Sequence, residues 1–246
     1  MAVMVTTSVS VPRRAWNPAA AFVLVLVVFA ATTAAARAVP VSMRLAHPWA
    51  TQACQQGLML IVALGAMIAS GRRLVAFGFR RARIDWTLTS YGLLLGIAGT
   101  GVTLGFGLPG LRARMAGYSF LMVVFWIWIV SSLVEEVFCR GWFQSLVSGT
   151  DDPDPRAAQA STIWSAALFG SMHFSLVFAG IDLPSFAVIL ASVTPLGYVC
   201  AVARARSGSL VPAIAAHVGF NVGGFFGGLA YAITYRVATG HLPIAP

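Results

Sequence analysis

Glu135, Glu136 and Arg140 stand together in VSSLVEEVFCRGWF, residues 130–143, directly after the apolar run FLMVVFWIWI at 120–129. A charge at the bilayer centre costs from ~2.5 to more than 10 kcal/mol, so three of them on a run that reads as a membrane span need a purpose. On a helix, Glu136 and Arg140 are four residues apart and share a face, which suits an ion pair. Glu135 points ~100° away from Glu136, and Arg140 lies one residue too far along to bridge it. One carboxylate is then paired, and its neighbour is free to act as a general base.

Two more pairs that include a polar side chain fall inside apolar runs: Phe169 and His173 in LFGSMHF, and His217 and Asn221 in AAHVGFN. Each pair has the four-residue spacing that aligns side chains on one helical face. If the runs on either side of 149–155 form a hairpin, Glu135 faces position 169 and His173 lies one turn (~6 Å) further along. Glu135 is then ~20 Å from its helix end, and Asn221 ~18 Å from the start of the last run, a depth the groups can share. Taken singly, each has a plain reading as a structural ion pair, a packing histidine or interhelical glue. Taken together, they hold both glutamates of the chain; the remaining acids are Asp85, Asp182 and the loop aspartates Asp151, Asp152 and Asp154.

At these residues the chain resembles the CPBP intramembrane proteases. EEVFCR matches that family's E-E-x-x-x-R motif, FGSMH its F-x-x-x-H and HVGFN its H-x-x-x-N, in the family's order over residues 135–221. The family groups type II CAAX prenyl endopeptidases with bacteriocin-processing and immunity-type (Abi-like) proteins. The resemblance implies that Glu135 and His173 activate a water for attack on the scissile carbonyl. It also implies that Glu136 and Arg140 hold the motif's geometry and that His217 and Asn221 steady the oxyanion. A metal-free glutamate mechanism with no cofactor is the favoured expectation. The alternative is zinc held by Glu135, His173 and His217 with water in the fourth position. HExxH is absent, as are the GxGD of an aspartyl site and a GxSG setting around Ser171.

The elements that must carry these groups follow from composition. The 246 residues are 59% hydrophobic and 9% charged, where a soluble domain is about 25% charged, and mean hydropathy is +0.84. Seven apolar runs read as spans: 19–36, 54–71, 88–108, 118–147, 156–177, 184–203 and 209–235. The expectation is an all-α polytopic transmembrane helix bundle of seven spans, within a range of six to eight. Its parts are a cytoplasmic tail at 1–18, N-terminal spans without catalytic motifs at 19–110 and a protease-like core at 111–246. The first two spans carry no signature comparable to the three motifs. The first run, after Arg13 and Arg14, is longer than the ~7–15 residues of a signal-peptide core, so it reads as an uncleaved span despite Ala36-Arg37-Ala38.

Every basic residue is arginine, and the net charge of +9 sits in short loops, which fits topology signals and not a nucleic-acid surface. With Arg72, Arg73, Arg80, Arg81 and Arg83 in the cytoplasm, ten arginines fall inside, five outside, and Arg140 within the membrane. Asp154 reads as the cap of a helix that starts at Pro155. Cys54, Cys139 and Cys200 read as packing residues. Gly219, Gly223 and Gly227, with Gly224 and Gly228, form a small-residue stripe for close helix approach.

The resulting functional expectation is an intramembrane endopeptidase acting on a membrane-associated protein or peptide near the cytoplasmic face. Its partners are that substrate and the lipid bilayer, with no nucleic acid. The location is the cell membrane, multi-pass; the lack of Lys beside abundant Ala and Arg points to a bacterial cytoplasmic membrane. The alternatives are a non-catalytic bacteriocin-immunity or binding protein of the same fold, and a proton-coupled transporter built on the same buried charges.

Overall fold

The computed structural model describes residues 15–106, 108, 118–149 and 155–241. Among them there is no strand. Seven helical segments are long and apolar enough to cross a membrane. The first to third spans are Pro18–Ala36, Ala50–Ala69 and Trp86–Gly105. The fourth is Phe120–Ser148, the fifth Pro155–Ala179, the sixth Leu183–Ser207 and the seventh Val211–Thr239. The protein is therefore an all-α polytopic bundle, with spans that match the sequence expectation to within a few residues. The expected capping role of Asp154, with Asp151 and Asp152, lies outside the described residues.

Local chemistry sets the helix starts. Asn17 Oδ1 accepts from the Ala19 and Ala20 amides at 2.9 and 3.2 Å, with Pro18 in the first position. Asp85 accepts from Leu88 N at 3.1 Å and Asp182 from Ser185 N at 2.8 Å. Each carboxylate or amide oxygen satisfies donors that have no partner within the first turn. The sixth span stops at Gly208, whose φ of 65° is a left-handed conformation that favours glycine.

The third and seventh spans pack most closely, and their glycines are the reason. A Cβ on Gly96 would lie 2.0 Å from Phe220 O, and one on Gly223 would lie 2.1 Å from Leu93 O. The stripe read in the sequence is thus one half of a two-sided contact; Gly92 and Gly96 supply the other half from the third span. This seam fixes where His217 and Asn221 stand relative to the rest of the bundle.

The fourth span is wound unevenly. Val123–Ser131 and Val137–Phe143 are π-helical, and the turn Ser132–Glu136 between them is α-helical. Such widened turns are uncommon and are found disproportionately at functional sites. The cytoplasm-assigned half of this span is buried: Phe138, Cys139, Arg140 and Phe143 have no exposed surface. Phe138, Cys139 and Phe143 pack in one core with Met67, Phe77, Leu168, Leu196 and Leu210.

The arginine-rich end of the bundle is laced together. Arg72 donates to Ser145 O at 3.3 Å, Arg80 to Ser207 O at 3.0 Å and Arg204 to Ala76 O at 3.1 Å. Leu210 N donates to Gly78 O at 3.0 Å and Ser209 Oγ to Arg80 O at 2.6 Å. Arginines at this end satisfy helix-end carbonyls that lack intrahelical donors.

Candidate active site

Glu136 and Arg140 are both fully buried and form the expected ion pair, Nη1 to Oε1, at 3.0 Å. Arg140 also donates through Nη2 to Gly197 O at 2.7 Å, and its guanidinium lies 4.7 Å over the Phe169 ring. The same Oε1 of Glu136 lies 2.9 Å from His217 Nδ1. That oxygen accepts from Arg140 Nη1, and His217 Nδ1 as a second donor to it carries the imidazole proton.

Glu135 is the freer of the two carboxylates, with its side chain 17% exposed. Ser131 Oγ donates to its Oε1 at 2.5 Å and Gln56 Nε2 at 3.3 Å. Its Oε2 lies 3.9 Å from His217 Nε2. The sequence geometry had the two glutamates diverging by about a quarter turn or more; that divergence lets them flank one imidazole of the seventh span from either side.

His173 Nδ1 lies 2.8 Å from Phe169 O. A carbonyl only accepts, so Nδ1 bears the proton, and a neutral His173 keeps its Nε2 lone pair for another group. Phe169 is the common wall: its ring meets that of His173 at 5.1 Å and that of His217 at 5.3 Å between centroids, both edge-on. Asn221 Nδ2 donates to Ile127 O at 3.2 Å and to Ser132 Oγ at 3.0 Å. The main-chain acceptor fixes the amide's orientation, and both of its protons are engaged within the protein.

Glu135, His173, His217 and Asn221 line one cavity of about 920 Å³. Its walls come from residues 29–37 of the first span and its end, 48–59 around the second, 96–104 of the third and 118–135 around the fourth. The later spans contribute 169–179, 188–196 and 217–232. A buried carboxylate–imidazole cluster at one end of a mostly apolar cavity is the usual form of a binding or reaction site.

Residues 117–223 match the family model described as Type II CAAX prenyl endopeptidase Rce1-like. Over that segment the chain is similar to this family. Neither a curated protein nor a solved structure matches the chain. The match takes in every residue of the three sequence motifs and, with the seven apolar helices, supports in general terms a multi-pass intramembrane endopeptidase of the CAAX type.

Among the described residues, no three His, Cys, Asp or Glu side chains gather as a metal-binding group. Glu135, His173 and His217 line one cavity, and His217 meets Glu136 through Nδ1. Cys139 and Cys200 are buried and free, and Cys54 is half-buried and free.

Two contributors had no motif to announce them. Gln56 of the second span reaches both Ser131 Oγ, at 3.1 Å, and Glu135. Ser131 itself sits one turn before Glu135 on the widened helix. The available signal was QACQQG: Gln52, Gln55 and Gln56 put a polar face on an otherwise apolar run. That face is used throughout, since Gln52 accepts from Tyr118 Oη at 3.2 Å and Gln55 donates to Thr33 Oγ1 at 2.8 Å. The N-terminal spans, expected to lack a signature, thus bear directly on the carboxylate.

Proposed function

We propose that the protein is an intramembrane endopeptidase in which Glu135 and His173 activate a water against the scissile carbonyl of a membrane-associated polypeptide. The observation that carries this reading is the difference between the two glutamates. Glu136 is fully buried, with Oε1 shared by Arg140 and His217, whereas Glu135 meets the cavity that His173 also lines. A carboxylate with an open side and a neutral imidazole with a free Nε2 are two proton acceptors for one water. The proton taken from the water is then available to the departing amine.

His217 and Asn221 divide the remaining work. Neutral His217, with its proton on Nδ1, has only a lone pair at Nε2. It donates to an oxyanion only as the imidazolium. Asn221 would donate to the oxyanion by giving up one of its two present acceptors. In its present bonds it acts as a positioning residue, tying the seventh span to Ser132 and the Ile127 carbonyl. A bacterial cytoplasmic membrane fits the composition and the arginine bias.

The test is cleavage of a labelled membrane-peptide library by purified protein in detergent, with wild type beside Glu135→Gln and with and without a strong zinc chelator. Cleavage that the variant loses and the chelator spares is expected. Loss on chelation with recovery on adding zinc would overturn the metal-free mechanism. No cleavage by folded wild type would favour the binding or immunity protein.

A further inference from the structure

We infer that the catalytic cavity opens to the face of the membrane opposite the cytoplasm, so that the polypeptide cut is one exposed on, or inserted from, the extracytoplasmic side. The substrate half of this inference rests on the peptidase reading; the orientation of the cavity does not.

The argument has three parts. First, every span lines the cavity from the same half. The first, third and fifth spans contribute only their C-terminal portions, at 29–37, 96–104 and 169–179. The second, fourth and sixth contribute only their N-terminal portions, at 48–59, 118–135 and 188–196, and the seventh contributes from 217 onward. With alternating helix directions, all of these portions lie at one end of the bundle. The cavity runs from buried His217 out to the exposed Arg37, Pro48 and Phe120.

Second, among the described residues the other end is closed. Phe138, Phe143, Phe77 and Leu210 fill it beyond the ion pair, and the hydrogen bonds from Arg72, Arg80 and Arg204 to main-chain carbonyls seal the loops over it. A water or peptide arriving there would have to break that lattice and pass fully buried Arg140.

Third, the charge assigns the faces. Among the described residues outside the spans' middle, the closed end has Arg72, Arg73, Arg80, Arg81, Arg83, Arg156, Arg204 and Arg206, against Arg37, Arg44 and Arg236 at the open end. Arginine excess in short loops marks the cytoplasmic side. On this inference the cavity's mouth lies on the side opposite the cytoplasmic face near which cleavage was expected from the sequence.

The experiment reads orientation without any cleavage assay. The full chain with Cys54→Ala, keeping buried Cys139 and Cys200, receives either Thr103→Cys in the cavity wall or Arg83→Cys at the closed end. A membrane-impermeant maleimide is then applied to right-side-out and to inverted vesicles. Labelling of Thr103→Cys in right-side-out vesicles only, with Arg83→Cys labelled in inverted vesicles only, is the expected result. Ser192→Cys, also in the cavity wall, stands in if the Thr103→Cys protein does not accumulate. Labelling of the cavity cysteine from the inverted side, equally from both sides, or from neither overturns the proposal. Since the readout needs no substrate, a protein that fails to cleave peptides yet labels as expected sinks the peptidase reading alone.

Discussion

His217 Nδ1 lies 2.9 Å from Glu136 Oε1, joining residues 81 apart in the chain. Arg140 holds the same oxygen at 3.0 Å, so one carboxylate atom fixes both the guanidinium of its own helix and the imidazole of the seventh span. This contact makes the three motifs one unit. It sets the tautomer of His217, aims Nε2 at the cavity side where Glu135 lies, and ties the fourth span to the third–seventh glycine seam. A carboxylate that orients an imidazole while a second one faces the reacting group is a division of labour familiar from other hydrolytic sites.

Glu135→Gln is expected to lower kcat by about 10²–10⁴-fold, the range for removing a positioned general base. The side chain is partly exposed and the amide keeps an oxygen for Ser131 and Gln56, so the melting temperature in detergent should stay near wild type. A variant that cleaves at the wild-type rate would remove Glu135 from the mechanism.

Arg140→Met is expected to be a folding defect before it is a catalytic one. It leaves Glu136 buried with no cation within the helix, and breaking one partner of a buried pair costs about 3–5 kcal/mol. Arg140→Lys should rescue only part of this, because a single ammonium does not reproduce the bond to Gly197 O and the stacking on Phe169 together. Thermal unfolding in one detergent, across wild type and both variants, would reveal the order; equal stability of all three contradicts it.

The seven spans, the Glu136–Arg140 pair and the glycine stripe were legible in the sequence because each depends on a short-range rule. Apolar run length, four-residue spacing and small-residue periodicity all survive without knowledge of neighbours. The partners of His217 and Asn221 were not legible. Both residues were read as oxyanion donors, yet the bonds they make run to Glu136, Ser132 and Ile127 O on the fourth span, contacts set by tertiary packing. The flanking of His217 by both glutamates was also hidden, since the two carboxylates diverge on their own helix and only the placement of the seventh span sets an imidazole between them. The direction in which the cavity opens needed all seven spans at once.

The glycine seam predicts a sharp contrast between two alanine substitutions. A Cβ at Gly223 meets Leu93 O at 2.1 Å, while one at Gly57 meets nothing within 4 Å. Gly223→Ala must push two backbones apart, and overpacking of this kind costs about 1–3 kcal/mol. Gly57→Ala adds a better helix former at an open position and should be neutral or slightly stabilising by the helix-propensity difference of about 1 kcal/mol. Melting temperatures of the two variants, measured side by side, check the seam directly; a Gly223→Ala protein as stable as wild type would mean the third and seventh spans are not packed as described.

Gln56 offers a test of whether the N-terminal spans serve the chemistry or only the fold. Its Nε2 bridges Ser131 and Glu135, and its Oε1 is buried with no partner among the described residues. Gln56→Ala removes a donor that holds the reactive carboxylate in one rotamer, along with an amide oxygen that was costly to bury. The expected outcome is a reduced kcat with KM little changed, because the substrate does not depend on Gln56 for binding while the alignment of Glu135 does. Stability should fall little, since the unsatisfied oxygen leaves with the donor. A rise in KM at unchanged kcat would instead make Gln56 part of the substrate-binding wall, and no kinetic change at all would reduce it to a packing residue. Gln56→Glu sharpens the distinction: a second carboxylate beside Glu135 repels it electrostatically and should lower kcat further than alanine does, whereas a residue that merely fills space would tolerate the near-isosteric change better than the truncation.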